Sequence, residues 1–279
     1  MRKISISKIQ DEVEKIVYKA NFILPEKLKK EIKKCSQNED GIQKNILNLI
    51  IKNCKIAEEK EIPLCQDSGI GVFFVKIGNG VFVQGGSLKQ ALNNAVENVY
   101  EKYYLRKSVV KDPFKRENTG TNTPAIIHYD YVDGDELEIV FLPKGGGSEN
   151  MSRIKMFNPS ASKNDIIKFI VNSVEKAGPN PCPPLILGIG IGGSFDYSAV
   201  LSKKALIRDV GSRHPDRNIA KFEKKIKNEV NKSYVGIQGL GGKTTVLDVF
   251  VETYPCHIAS MPVALNINCH SARHGRIKI

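Results

Sequence analysis

Cysteine carries the most specific chemistry in this 279-residue sequence, which contains six of them. No two have the C-x-x-C spacing of a zinc ribbon or a thioredoxin site, so a local metal motif is excluded. Because we expect a cytoplasmic protein, its six cysteines also argue against a disulfide framework and for metal or catalytic use of some of them. A dispersed site, with thiolate ligands supplied by separate loops, remains open.

Three of the cysteines lie in segments that predict rigid, polar loops. Cys65 follows a helical pattern and precedes a strand, in the segment PLCQDSG. Cys182 has prolines on both sides in GPNPCPP, which exclude a helix and fix the loop. Cys269 lies in NINCHSARH, where Arg273 favours a thiolate and a short helix is expected to begin. Cys35, Cys54 and Cys256 are instead expected to be small buried hydrophobic residues.

The loops that carry these cysteines must be positioned by helices and strands, and the pattern of hydrophobic residues predicts where these elements lie. Residues 1–60 are predicted to be helical, since Ile9, Val13 and Ile16 recur at a spacing close to 3.6 residues and Pro25 suits the first turn of a second helix. Beyond Pro63 the pattern predicts further elements: strands at 72–77, 125–129, 137–142 and 185–189, helices at 88–104, 164–177, 198–206 and 216–232, and a loop-rich stretch at 260–263.

The order of these elements predicts a mixed α/β fold. A helical N-terminal part, residues 1–60, precedes a mixed-sheet region with flanking helices, residues 61–279. No internal repeat or low-complexity linker divides the chain, so we expect a single domain of residues 1–279.

Two glycine-rich segments resemble phosphate-binding motifs. Gly188–Gly193 fits G-x-G-x-x-G after an apolar run, but no acidic residue on a clear second strand follows it. The segment GGKTT at 241–245 lacks the first glycine of a P-loop, because position 237 is Ile237. Nucleotide binding therefore stays a minor alternative.

The formal net charge of +12 raises the question of nucleic-acid binding. The lysines alternate with Glu and Ile along helical patterns and form no basic block with aromatic residues, which favours solvated helix faces and no nucleic-acid partner. A small anionic substrate also suits a positive field. No apolar run is long enough to span a membrane and no signal peptide is evident, so we expect a cytoplasmic protein without a membrane partner.

Several segments between about Cys54 and His274 resemble segments of a known protein family and occur in the same order. They are PLCQDSG, GGGSENMSR, NPCPP, GIGIGG, QGLGGKTT, YPCHIASMPVALNINC and ARH. In these segments the sequence resembles the class I fumarate hydratase/tartrate dehydratase family, specifically its separate α subunit. The resemblance implies a [4Fe–4S] cluster held by Cys65, Cys182 and Cys269, with one iron left open as a Lewis acid for a 2-hydroxy dicarboxylate.

The resemblance also implies roles for side chains outside the cluster. Asp67 and His257 would handle protons, and Gln66 would contact the substrate. Arg106 would clamp a substrate carboxylate with its guanidinium fork. The alternatives are a turn role for Asp67, since Asp-Ser-Gly favours turns, and a solvated helix-end position for Arg106.

Backbone and secondary candidates complete the implied site. The glycine triplet at 145–147 would offer N–H groups, with Gly146 and Gly147 as the substrate-binding positions. Arg116, Asn118 and Thr121 are further candidates, because their segment also resembles one in the family.

In this family, further catalytic and carboxylate-binding residues lie in a C-terminal domain. The resemblance therefore implies a separate β subunit, an (αβ)₂ assembly, and no activity of this chain alone. The leading hypothesis is a fumarate hydratase α subunit, and the rival is the α subunit of L-tartrate dehydratase. A non-catalytic metal-binding or nucleic-acid-binding protein is the alternative from another class.

Overall fold

The computed structural model describes all 279 residues as a mixed α/β protein, which confirms the predicted fold class. The chain forms two compact units, and both are discontinuous in sequence. Unit 1 contains Met1–Leu24, Cys54–Gly146 and Arg273–Ile279, and unit 2 contains Pro25–Asn53 and Gly147–Ala272. The expectation of one domain over residues 1–279 stays a prediction. None of the helices is long and apolar enough to cross a membrane.

Unit 1 is built on a four-stranded mixed sheet. Its strands, in spatial order, are β10 (Gly275–Lys278), β5 (Leu137–Lys144), β2 (Ile70–Gly78) and β4 (Ile126–Val132). β4 is parallel to β2 and forms one edge, whereas the other neighbours are antiparallel. A separate parallel pair joins β1 (Arg2–Ser5) to β3 (Val81–Gln84).

Two amphipathic helices cover one face of this sheet. Helix α1 (Ile6–Phe22) begins at Ser5, whose hydroxyl accepts a hydrogen bond from the Lys8 N–H, and α4 (Leu88–Lys102) begins after Ser87 in the same way. Their apolar faces pack on Phe73, Val75 and Phe141 in a core from which water is excluded.

Unit 2 contains a second four-stranded sheet with helices on both faces. The strands, in spatial order, are β6 (Arg153–Phe157), β9 (Met261–Asn268), β7 (Leu185–Gly192) and β8 (Val246–Tyr254). The remaining helices are α2 (Glu26–Asn38), α3 (Gly41–Lys60, which continues into unit 1 from Cys54), α5 (Gly146–Glu149), α6 (Lys163–Ala177), α7 (Phe195–Ala205) and α8 (Arg217–Val230).

The glycines of the G-x-G-x-x-G segment are explained by helix packing. Leu185, Leu187 and Ile189 of β7 face the core formed with α6 and α8. On the opposite face, a Cβ at Gly188 would lie 2.1 Å from the Ser202 carbonyl oxygen, and one at Gly190 would lie 2.1 Å from that of Ser198. Only glycine lets α7 approach the strand this closely.

The structure corrects several sequence-based expectations. Residues 260–263 were expected to be a loop, but β9 begins at Met261, and β8 at 246–254 was not anticipated. No helix begins near Cys269, because the chain turns there and enters β10. The N-terminal part is helical as predicted, apart from β1. The predicted break holds, since α1 ends at Phe22 and Pro25 precedes α2.

Candidate active site

The Cys65 loop connects α3 to β2 in unit 1. Leu64 anchors it, because its side chain is buried and its N–H donates to the Asn21 carbonyl over 2.9 Å. Cys65 itself is half-buried, and its Sγ accepts the Asp67 N–H over 3.4 Å. This contact fixes the direction of the Cys65 sulfur within its loop.

Asp67 holds two loops of unit 1 together. Its Oδ1 accepts the Gly69 N–H over 3.1 Å, and its Oδ2 accepts the Gly146 N–H over 2.9 Å. Its carbonyl oxygen accepts a bond from Nη2 of the buried Arg273 over 3.2 Å. The turn role considered for Asp67 is therefore present, and the Gly146 N–H expected to face a substrate is bonded to Asp67.

Tyr100 and Asn122 support the loop from inside unit 1, and neither role was predicted from the sequence. The Tyr100 hydroxyl donates to the Ser68 carbonyl over 2.6 Å, and the Asn122 amide donates to the Gly69 carbonyl over 3.0 Å. Both side chains are fully buried, and burial raises the pKa of Tyr100, so its hydroxyl stays protonated and donates.

Arg106 and Gln66 are both exposed, as substrate-contacting residues must be before a ligand binds. Arg106 lies after α4, between the buried Leu105 and Ser108, whose N–H donates to the Asn122 side chain over 2.7 Å. Because Asn122 also binds Gly69, one buried amide links the Arg106 segment to the Cys65 loop.

The secondary candidates form a surface loop in the same unit. Arg116 is exposed in a left-handed conformation with φ of 59°. The Asn118 side chain donates to the Lys107 carbonyl over 2.9 Å, and the Thr121 hydroxyl lies 2.7 Å from that of Thr123. Asn118 and Thr121 therefore make local contacts that shape their own loop.

The proline-rich loop of unit 2 presents Cys182 to solvent. Pro181, Pro183 and Pro184 are buried, whereas Cys182 between them is exposed. Its φ of 54° is unusual for a residue other than glycine, and its N–H donates to the Pro179 carbonyl over 2.9 Å. Gly147 lies beside this loop, since a Cβ there would meet the Asn180 carbonyl oxygen at 3.1 Å.

Sheet topology brings Cys182 and Cys269 to the same end of unit 2. Strands β7 and β9 are antiparallel with Ile186 opposite Asn268, so the residues before β7 and after β9 meet. The His270 backbone N–H lies 3.4 Å, and its Nδ1 2.9 Å, from the Cys182 carbonyl oxygen. A carbonyl can only accept, so Nδ1 carries the proton in this contact.

Gln238 supports the same loop from the glycine-rich segment at 236–245. Its N–H donates to the Pro183 carbonyl over 3.0 Å, and its side-chain Nε2 donates to the same carbonyl. Glu39 of the helical N-terminal part accepts the Lys243 N–H over 2.8 Å. The segment that resembles a P-loop thus positions the Cys182 loop, a role that only long-range contacts reveal.

The structure places His257 at the opposite end of the unit 2 sheet. It lies in the exposed loop between β8 and β9, where its Nδ1 accepts the Ala259 N–H over 3.1 Å. All of β9 separates this loop from Cys269, about 25 Å at the usual rise per strand residue. Within its unit His257 is not near the two cysteines, and its proton-handling role beside Asp67 stays a prediction.

The remaining cysteines divide by exposure. Cys35 and Cys54 are buried as expected, and burial raises the pKa of the Cys35 thiol. Cys256 was also expected to be buried, but it is exposed, and its Sγ donates to the Ser260 carbonyl over 3.3 Å. It shares the His257 loop, at the end of the sheet away from Cys182.

The three predicted ligands fit the chemistry of an iron–sulfur cluster. All three lie on loops and are at least partly exposed, and no disulfide joins them. No group of three or more His, Cys, Asp or Glu side chains is arranged to hold a single metal ion. An iron–sulfur cluster needs a different arrangement, because each cysteine binds a separate iron atom. The cysteine sulfurs therefore lie further apart than the ligands of a single metal ion.

Comparisons with known proteins agree with the resemblance found in the sequence. The family model of fumarate hydratase (Fumerase) matches residues 10–278. A Methanocaldococcus jannaschii protein named putative L(+)-tartrate dehydratase subunit alpha is 42% identical over 281 residues, 98% of each chain. An L(+)-tartrate dehydratase subunit alpha of Escherichia coli UTI89 is 32% identical over 99% of this chain and 92% of its own. Matched almost from end to end, the chain belongs to the fumarate hydratase family of hydro-lyases.

Proposed function

We propose that this chain is the α subunit of an iron–sulfur hydro-lyase that interconverts fumarate and (S)-malate with a β subunit. The observation that carries the proposal is the meeting of the Cys182 and Cys269 loops at one end of a sheet, in a chain of this family. The relatives named subunit alpha support a β partner, and we place the two subunits in an (αβ)₂ assembly without nucleic acid.

In this proposal Cys65, Cys182 and Cys269 hold a [4Fe–4S] cluster. When bound, the cluster supplies a Lewis-acidic iron that polarises the C–O bond of a 2-hydroxy acid. The residues around the ligands fix the loops that carry them. His270 and Gln238 bind the carbonyls of the Cys182 loop, and the Asp67 N–H contacts the Cys65 sulfur.

Asp67 is the proposed proton carrier, and its hydrogen bonds determine how its carboxylate is oriented. Both carboxylate oxygens accept a backbone N–H group, which orients the carboxylate for its role as a base. Each oxygen accepts one such bond and keeps a second lone pair on which it can receive a proton. Gln66, exposed beside it, and the backbone of Gly147 are the proposed substrate contacts.

Arg106 is expected to bind a substrate carboxylate, because its exposed guanidinium lies on a segment fixed by Leu105 and Asn122. In the assembled enzyme, Arg106→Ala should raise KM for malate about 10- to 100-fold, the loss of one charge-assisted bidentate contact. Arg106→Lys should recover only part of this loss, since Lys lacks the planar fork. Separate measurement of kcat and KM tests this.

Lys115→Ala is the matched control for Arg106, because Lys115 is an exposed cation of the neighbouring loop. Its KM should stay within about twofold of the wild-type value. An unchanged KM in Arg106→Ala, or an equal rise in both variants, would contradict the assignment of Arg106.

Dehydration of L(+)-tartrate is the second candidate, and the names of the two relatives favour it. Tartrate differs from malate by one hydroxyl, and a group that binds this hydroxyl would decide between the substrates. None of the residues proposed here to contact the substrate (Gln66, Arg106 and Gly147) is assigned to that extra hydroxyl.

The test uses the chain purified anaerobically with its β subunit and compares kcat/KM for (S)-malate, fumarate and L(+)-tartrate. A preference for malate and fumarate supports the first candidate, and a preference for tartrate supports the second. No turnover of any of them by a fully cluster-loaded complex would contradict the hydro-lyase proposal. Turnover by the α chain alone would refute the need for a β subunit.

A further inference from the structure

Strand β4 leaves an unprotected edge on the unit 1 sheet. It has β2 on one side and no strand on the other. The exposed fractions of its apolar side chains are large, 45% for Ile126, 44% for Tyr129 and 76% for Tyr131. Edges of soluble proteins usually carry Lys, Pro or a bulge that prevents pairing, but the seven residues IIHYDYV contain neither residue and pair with β2 without a register shift.

The sequence of β4 is complementary to itself when read in the opposite direction. A two-fold axis perpendicular to the sheet at Tyr129 would place Ile126 opposite Val132 and Ile127 opposite Tyr131. The same axis places His128 of each copy opposite Asp130 of the other. Every apolar residue then faces an apolar residue, and the ionisable residues form two pairs of opposite charge.

Symmetry excludes the neighbouring registers. Residues opposite each other in an antiparallel pair must lie on the same face of the sheet. Because side chains alternate between the two faces along a strand, this condition is met only when the two-fold axis passes through a residue and not between two residues. An axis at His128 or Asp130 would place that residue opposite its own copy, with like charges in contact. It would also leave two residues of β4 unpaired, whereas the axis at Tyr129 pairs all seven.

We propose that two copies of this chain associate through antiparallel pairing of their β4 strands, centred on Tyr129, to form a continuous eight-stranded sheet. The core faces of both copies then lie on the same side, because Ile127 packs against the unit 1 core in each. This interface gives a two-fold contact between α chains. It rests on the sheet edge alone and not on the proposed hydro-lyase activity.

Disulfide trapping in the full-length chain tests the register. In Tyr129→Cys the two new thiols lie opposite each other within disulfide range, so mild oxidation should convert most of the protein to a covalent dimer. Tyr131→Cys is the matched control, since it is more exposed and on the same face. Position 131 of one copy would lie about 13 Å along the strands from position 131 of the other copy. Cross-linking of this variant should therefore not exceed the wild-type background.

Sedimentation equilibrium at about pH 6 tests the charge pairs. His128→Asp places like charges opposite each other twice, so the dimer dissociation constant should rise about tenfold or more. Adding Asp130→His to that variant exchanges the two charges and should restore most of the affinity.

Three results would overturn the proposal. They are a wild-type chain that stays monomeric in sedimentation, a Tyr129→Cys chain no more cross-linked than Tyr131→Cys, and an exchanged pair as weak as His128→Asp. In the assembled complex, a cross-link from Tyr129→Cys to the β subunit in place of a second copy would overturn it as well.

Discussion

Replacement of Cys182 or Cys269 by Ser is expected to remove most of the iron and acid-labile sulfide from the anaerobically purified chain. Wild-type protein should contain roughly four of each per chain, and each variant less than about one, because a serine hydroxyl is a poor ligand for iron in a cluster. Cys65→Ser should have the same effect. Activity of the assembled enzyme should fall to background in all three variants.

Cys256→Ser is the matched control for Cys182→Ser. Both cysteines are exposed on loops of unit 2, but they lie at opposite ends of its sheet. Cys35→Ser controls for a buried thiol. Full iron and sulfide content in Cys182→Ser, or an equal loss in Cys256→Ser, would mean that another set of residues holds the metal.

Gly190→Val is expected to lower the free energy of unfolding by about 3 kcal/mol or more. A Cβ at this position would lie 2.1 Å from the Ser198 carbonyl oxygen and 2.8 Å from Leu201 Cβ, so α7 must move away from β7. Urea unfolding followed by circular dichroism measures the change. Nucleotide binding to wild-type protein should be undetectable, since packing accounts for the glycine spacing.

Gly146→Ala serves as the glycine control for stability. A Cβ at Gly146 would meet nothing within 4 Å, and its φ is not in the left-handed region. This change should alter the free energy of unfolding by less than about 0.5 kcal/mol. If Gly190→Val were equally mild, the close approach of α7 would not explain the glycine-rich segment.

Helices were predicted from their period, and several strands from short apolar runs. The helix at 164–177 repeats its apolar residues, whereas the strand at 137–142 is a short apolar run that is buried on both faces. Strands β8 and β9 are also almost continuously buried, so no alternating pattern distinguished them. Pro262 near the start of β9 also gave that segment the pattern of a loop.

The candidate site shows the same division. Proline and turn chemistry identify the Cys182 and Cys65 loops without any structure. Gln238 and Asn122 gave no such signal, because the loop carbonyls that they bind lie more than 50 residues away in sequence. His257 lies in a recognised segment, but only the structure shows that all of β9 separates it from Cys269.

The position of β10 in the unit 1 sheet has a consequence for synthesis on the ribosome. β10 pairs with β5, yet it is translated only after all of residues 147–272, which form most of unit 2. Until it emerges, the outer edge of β5 has no partner and the unit 1 core lacks Ile277 and Ile279. Unit 1 therefore completes its folding late in translation or after release, and nascent chains need protection from aggregation at that edge.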